Sequence, residues 1–325
     1  MPTTIVCGKQ VSQNGLGLSR LTLSGSALPE DTASRVLKAA LEVGVNVWNG
    51  ADFYGTPEYN SVHLMNRYFT KYPEDAEKVI LMIKGGITNM KTLTQDCSPE
   101  GIRRSVDAAN KTLDGKKKID AFGPARVDPK VPIEETVKAL SEMVKEGKIG
   151  GIQLSEVSAD TIQRASKVAK IELATEILQN GVAETCAGLG IPVVAHTPLG
   201  GGMLTGRYKS VDDLPPNDYH RFFPRYQGDN FKKNLELVIK VEELAKTKGC
   251  NPTQLALSWI KTQSRRKQMP FLIPIPGSSS EERVAENAKQ VELTDKDMEE
   301  VEGILATFEI SGTRFPTAAM HLTEF

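Results

Sequence analysis

Two side chains at one spacing define the chemistry this chain can do. Tyr54 sits in Asn49-Gly50-Ala51-Asp52-Phe53-Tyr54-Gly55, just past the strand-like run Val45–Trp48. Lys84 closes the next apolar run, Val79–Ile83. An ammonium beside a phenol stabilises the phenolate and so eases proton release. A phenol tuned in this way can hand a proton to a carbonyl oxygen that is receiving a hydride. Taken singly, Tyr54 reads as a half-buried packing tyrosine, and Lys84 as a strand-end residue whose stem snorkels to water. Their shared placement at the exits of successive strand-like runs, with Gly50-Ala51 and Gly55 around the tyrosine, favours a joint role.

Positioning such a pair requires a scaffold, and the chain alternates strand-like and helix-like segments almost throughout. A small N-terminal hairpin precedes a short strand at 14–18. Val36, Leu37, Ala40 and Leu41 then share one face of a helix at 30–43. Further strands are expected at 45–48, 79–83, 119–122, 149–154, 192–196 and 271–275. Helices are expected at 58–71, 99–113, about 133–146, 159–169, 177–189, 231–248, 252–263, 280–289 and 295–308. Pro99 and Asn251-Pro252 mark helix starts. About eight βα units with short, apolar strands predict an α/β fold, a (β/α)8 TIM barrel. It would carry an N-terminal hairpin and an extra C-terminal helix, with residues 1–325 as a single domain. The Gly-, Pro- and Asp-rich stretch 199–230 is too long for a mere connector and is a candidate binding flap.

Composition narrows the class. The formal charge is -1 with charges interspersed, which gives no footprint for nucleic acid or an anionic membrane surface. Cys7, Cys97, Cys186 and Cys250 are scattered and read as reduced thiols, and His63, His196, His220 and His321 are equally dispersed. No metal site is therefore expected. No apolar run approaches the roughly 20 residues that span a bilayer, and the N-terminus lacks a secretory pattern. A cytoplasmic enzyme with a small-molecule substrate is the expectation.

On a barrel, the active site lies at the C-terminal ends of the strands. Asn49 and Tyr54, Lys84, Arg126, Ser155 with Glu156, and His196 all fall at such exits. The segments Asn49–Gly55, Lys84, Gly151–Glu156, Thr197–Gly200 with Leu204–Gly206, and Ile273–Asn287 together resemble the aldo-keto reductases over nearly the whole chain. The resemblance implies that Tyr54 is the general acid and that Lys84 tunes it. Two positions depart from the usual tetrad: Asn49 stands for an aspartate and Arg126 for a histidine. Both departures resemble the fungal pyridoxal reductase branch, as do Lys71-Tyr72-Pro73, Lys84-Gly85-Gly86 and Ala125-Arg126-Val127-Asp128. Without a carboxylate partner, Lys84 should exert a stronger net positive field on Tyr54. Arg126 could hydrogen-bond the substrate carbonyl or stabilise alkoxide charge. Its bland alternative is an ion pair with Asp128 or another local acid.

Hydride chemistry needs a donor that no side chain supplies. Gly15-Leu16-Gly17 is not a dinucleotide fingerprint, because Arg20 stands where the third glycine belongs, and Gly200-Gly201-Gly202 is not a phosphate loop. Pro276–Arg283 is the better anion site. It joins a strand to a helix N-terminus, and it carries Ser278, Ser279 and Arg283, the last suited to the 2′-phosphate that distinguishes NADPH from NADH. By resemblance, Ser278, Arg283, Glu286 and Asn287 hold the adenosine end of NADPH/NADP+. Ser155 and Glu156 lie at the nicotinamide amide, and His196 replaces the residue that stacks on the ring. Leu199, Gly200, Gly202 and Leu204 complete the implied cofactor site.

One stretch conflicts with the fold. Between the helices at 159–169 and 177–189, the chain appears about eight residues short of a typical member. The sixth strand is therefore expected to be shortened to about Ile171–Leu173, by drawing on its neighbours or by distorting the barrel. Glu172 is the candidate there for a second amide contact. Trp48, Phe53, Phe122 and residues of the 199–230 loop could form an aromatic wall, although Trp48 and Phe122 are equally plausible core residues. The expected activity is NADPH-dependent reduction of an aldehyde, with pyridoxal going to pyridoxine. Alternatives are reduction of other aldehydes or ketones, a weakly active NADPH-binding regulatory barrel, and a Schiff-base aldolase.

Overall fold

A computed structural model describes the chain except for residues 1, 24, 26, 91, 93, 176–179, 217, 317–319, 321–323 and 325. Its strands are β1 (Thr3–Val6), β2 (Lys9–Ser12), β3 (Gly15–Gly17), β4 (Val47–Ala51), β5 (Ile80–Gly85), β6 (Ile87–Asn89), β7 (Thr94–Gln95), β8 (Ala121–Pro124), β9 (Gly151–Ser155), β10 (Ile171–Thr175), β11 (Val193–Ala195) and β12 (Leu272–Pro274). Its helices are α1 (Ser19–Thr22), α2 (Glu30–Glu42), α3 (Ser61–Lys71), α4 (Pro99–Leu113), α5 (Ile133–Lys145), α6 (Ala159–Val168), α7 (Val182–Leu189), α8 (Gly228–Thr247), α9 (Pro252–Gln263), α10 (Glu281–Ala288) and α11 (Asp295–Ala306).

Eight strands form one parallel sheet in the order β12-β11-β10-β9-β8-β5-β4-β3. The two edges meet where Gly17 bridges Gly277 and its amide donates to the Pro276 carbonyl at 3.2 Å, so the sheet closes as a TIM barrel. Glycine is required at this seam: a Cβ on Gly15 would lie 2.5 Å from Ile275 Cγ2, and one on Gly17 only 3.0 Å from the Ile275 carbonyl oxygen.

Strand side chains alternate between the barrel axis and the helix layer. Val47, Ile80, Met82, Ala121, Leu173, Val194 and Ile273 pack together inside. Val6 and Val11 of the hairpin join that cluster and stopper the N-terminal end. Trp48, Leu81, Ile83, Phe122, Ile152 and Leu154 belong instead to the outer core under the helices. Trp48 stacks on Phe69 at 6.1 Å and meets the edge of Tyr68 at 5.3 Å. Trp48 and Phe122 are thus core residues and line no substrate wall.

The sixth strand is less curtailed than its sequence suggests. β10 runs five residues and pairs with both β9 and β11, with a register shift between Ile171 and Leu173 where two of its residues oppose one of β9. The following helix starts at Val182 rather than 177, and residues 176–179 lie outside the described residues. The antiparallel β6–β7 ribbon gave no sequence signal. Among its described residues the stretch 199–230 holds four 3-10 turns, and Met203, Leu214 and Tyr226 pack on Phe231 and Val238 of α8. No helix among the described residues is long and apolar enough to cross a membrane.

Candidate active site

The loop that carries Tyr54 is braced at both ends. The Asp52 amide donates to the Lys84 carbonyl at 3.0 Å, and the Ser61 amide donates to the Tyr54 carbonyl at 3.1 Å. Asn60 caps α3, accepting from the Val62 amide at 2.9 Å, while its Nδ2 donates to the Asp52 carbonyl at 2.6 Å. One side chain therefore starts the helix and fixes the loop before it.

Asn49 and Lys84 point inward from β4 and β5, and both are buried. Lys84 Nζ donates to Asn49 Oδ1 at 2.6 Å and lies 5.1 Å from the Tyr54 ring centroid, over its face. Gly85 makes room behind this pair: a Cβ there would fall 2.2 Å from Ser105 Oγ and 2.5 Å from Phe122. Arg126 Nη1 donates to the Ala125 carbonyl at 2.6 Å, and its Nη2 is 4.0 Å from Glu156. Asp128 is occupied elsewhere, accepting from the Cys97 and Lys130 amides, so the ion pair that sequence offered for Arg126 is made with Glu156 instead.

Glu156 leaves β9 with a positive φ of 59° and is almost wholly buried. Arg314 Nη2 donates to its Oε1 at 2.9 Å, and His196 Nε2 lies 2.5 Å from the same oxygen. Burial alone would raise the Glu156 carboxyl. The hydrogen bond with His196 and the charges around it, Arg126 and Arg314 included, outweigh that and hold it at about 2. Desolvation lowers the His196 pKa despite the neighbouring carboxylate, so the imidazole is neutral. A neutral ring either donates from Nε2 to Glu156 or accepts there from Arg314 Nη2, 2.5 Å away.

Asn49, Tyr54, Lys84, Arg126, Glu156 and His196 line one cavity of about 920 Å³ at the C-terminal end of the barrel. Its far end is formed by Gly277, Ser278, Ser279, Arg283, Glu286 and Asn287. There Arg283 Nη1 donates to Ser279 Oγ at 2.6 Å, Asn287 Nδ2 donates to Ser278 Oγ at 3.0 Å, and Ser280 caps α10. A long cleft with a proton donor at one end and hydroxyls, a helix N-terminus and a guanidinium at the other fits a dinucleotide. The chain matches the aldo/keto reductase family over residues 15–306. The chain belongs to the aldo-keto reductases.

Two relatives and one solved structure are similar to this aldo-keto reductase along nearly its whole length. It is 38% identical to "Probable pyridoxal reductase 2" of Schizosaccharomyces pombe, with 96% of each chain covered. It is 34% identical to the aldo-keto reductase yakc of the same yeast, a name that carries NADP(+), with 98% of this chain and 96% of that one covered. A glycerol dehydrogenase of Gluconobacter oxydans shares the fold at a TM-score of 0.81 and 23% identity, over 96% of this chain and 97% of its own.

Within this aldo-keto reductase, the barrel gathers most of the residues singled out from sequence. Asn49, Tyr54, Lys84, Arg126, Ser155, Glu156, His196, Leu199, Gly202, Ser278, Ser279, Arg283, Glu286 and Asn287 all line the cleft. Gly200 and Leu204 are not among its lining residues but belong to the same turn. Glu172 is not brought there. It accepts from the Cys7 amide at 2.9 Å, pairs with Lys170 at 2.8 Å and sits against Gly151, at the hairpin end of the barrel. The cleft is level with Ser155, four residues further along β9 and so about 13 Å away.

Phe53 and, from the 199–230 loop, Phe223 line the cleft as the aromatic wall expected from sequence; sequence reasoning missed Phe315, which joins them, and Arg20, which reaches Asp218 at 3.0 Å. A basic residue just past a strand exit was the available signal for Arg20. The C-terminal aromatic gave none.

A half-buried acid on the tyrosine loop gives a stability prediction. Asp52 Oδ1 has no partner among the described residues, and Oδ2 accepts from Ser105 Oγ. Burial outweighs that hydrogen bond and raises the carboxyl to about 6. A folded-state pKa above the unfolded one favours the fold while the group is protonated, and that advantage is lost as pH rises through about 6. Asp52→Asn keeps the shape without the charge. Its stability relative to wild type should therefore grow between pH 4 and pH 8, by at most about 3 kcal/mol. Thermal melts at the two pH values check this, and a difference that does not change with pH refutes it.

Proposed function

We propose that this aldo-keto reductase uses NADPH to reduce an aldehyde, with pyridoxal going to pyridoxine, and that residues 1–325 act as one barrel domain. The observation that carries the reading is the single cleft that joins Tyr54, Lys84 and Asn49 to Ser278, Ser279 and Arg283. A reduced nicotinamide dinucleotide supplies the hydride when bound. The Tyr54 hydroxyl gives a proton to the carbonyl oxygen as negative charge gathers on it. The Lys84 ammonium, held by the Asn49 amide, places positive charge over the face of the Tyr54 ring. Arg126, at the cleft wall, takes up charge on the same oxygen.

Ser155, Glu156 and His196 form the seat for the nicotinamide end, and Ser278, Ser279, Arg283, Glu286 and Asn287 hold the phosphate-bearing end. The relative named with NADP(+) supports the phosphorylated cofactor. Phe53, Phe223 and Phe315 present flat apolar surface suited to a pyridine ring. The relative named as a pyridoxal reductase supports that substrate.

The test follows loss of NADPH absorbance with pyridoxal and with a panel of simple aldehydes. Turnover with the highest kcat/KM for pyridoxal is expected. Absence of NADPH oxidation with every carbonyl would defeat the reading, and a better aldehyde would defeat the substrate.

A further inference from the structure

We propose that Arg314 is a positioning residue for the nicotinamide seat, tying the C-terminal segment to the chemistry through Glu156 and His196. The inference rests on the cofactor reading above. It starts from a feature that reading does not use: the buried Glu156 carboxylate needs a counter-charge, and the nearest cation comes from the far end of the chain.

The segment that delivers Arg314 is fastened on both sides of it. The Ser311 amide donates to Asn234 Oδ1 at 2.9 Å, and Asn234 Nδ2 returns a bond to the Ser311 carbonyl at 2.9 Å. Ser311 Oγ donates to Asn230 Oδ1 at 2.7 Å, and Arg225 Nε donates to the Gly312 carbonyl at 3.2 Å. Beyond Arg314, Glu324 accepts from the Ser158 amide at 2.7 Å and from Thr161 Oγ1 at 3.0 Å, at the start of α6. These anchors lie on α8 and its approach on one side and after β9 on the other.

Arg314 itself is not among the residues lining the cleft, whereas Glu156, His196 and Phe315 are. Its guanidinium reaches the cleft through contacts to Glu156 and His196. Both its Nη atoms face the Glu156 carboxylate, at 2.9 and 3.4 Å, while Arg126 stands off at 4.0 Å. The same guanidinium lies 5.0 Å from the Phe315 ring centroid, and Phe315 meets Phe223 at 6.0 Å. One cation thus orients a carboxylate, an imidazole and an aromatic wall. Without it, Glu156 keeps the Arg126 guanidinium at 4.0 Å and a neutral ring, and loses its closest charged donor.

The test is a double-mutant cycle read by NADPH fluorescence titration and by kcat and KM for the aldehyde. It uses the full chain as wild type, Arg314→Ala, Arg314→Lys, Glu156→Gln and Arg314→Ala with Glu156→Gln, with circular dichroism confirming folding. Arg314→Ala should weaken NADPH binding roughly tenfold or more, as expected for groups in direct contact. Arg314→Lys should recover part of the loss. In the Glu156→Gln background, where no charge needs balancing, removing Arg314 should change binding by less than about threefold. Wild-type affinity in folded Arg314→Ala, or the same loss in both backgrounds, overturns the proposal. Failure of the wild type itself to bind NADPH overturns the cofactor reading instead.

Discussion

Tyr54→Phe is expected to lower kcat for aldehyde reduction by about 10²- to 10⁴-fold, the usual worth of a positioned proton donor, with NADPH affinity unchanged. The substitution is close to ideal for isolating the hydroxyl. Phenylalanine keeps the ring that lies beneath Lys84 and that packs edge-on against Phe53 at 5.1 Å. The loop remains held by Asn60 and by the backbone bonds to Lys84 and Ser61. Only the donor is lost. Steady-state kinetics with pyridoxal, alongside a cofactor titration, separate the two effects. A variant that keeps a tenth of wild-type kcat would show that the proton comes from elsewhere, and Tyr54 would revert to a packing role.

The second large effect belongs to Arg283. Arg283→Ala should weaken NADPH binding by about 10- to 100-fold and change NADH binding by no more than a few-fold, because a charge-assisted contact to a phosphate contributes about 1.5–3 kcal/mol. The local electrostatics motivate this. Desolvation lowers the Arg283 pKa, and the like charges of Arg207 and Arg20 lower it further. Glu286 offsets this in part and Asp218 pairs with Arg20, yet these guanidiniums outnumber the carboxylates beside them, so the corner favours an anion. Serine hydroxyls and the capped start of α10 already face the same corner. Titrating wild type and variant with both dinucleotides checks the assignment. Equal wild-type affinities for NADPH and NADH would remove the 2′-phosphate from this corner.

Legibility followed how local each determinant is. The helix start at Asn251 could be read because its capping box spans only four residues, Asn251 to Gln254. Tyr54 and Lys84 could be paired in advance because each follows an apolar strand, and neighbouring parallel strands present their exits at one end. The faces of those strands were harder to assign. β4 is buried on both sides, so its composition does not reveal that Asn49 looks inward and Trp48 outward. Glu172 was misplaced for a related reason: a register shift beside it decides which residue of β10 reaches the level of Ser155, and no short motif announces a shift.

By itself, the sequence determined the repeating βα rhythm, the helix starts, and the phenol, amine and amide that meet at the strand exits. Periodicity, capping and strand order act between near neighbours and so leave marks in residue type. Only the tertiary structure decided that Asn49 holds the Lys84 ammonium, and that Glu172 belongs to the hairpin end. It also decided that Arg314 reaches a carboxylate 158 positions earlier in the chain. Such contacts depend on closing the barrel and laying the C-terminal segment beside its open end. The free energy of that closure is spread over the whole core, so no single stretch of residues records it.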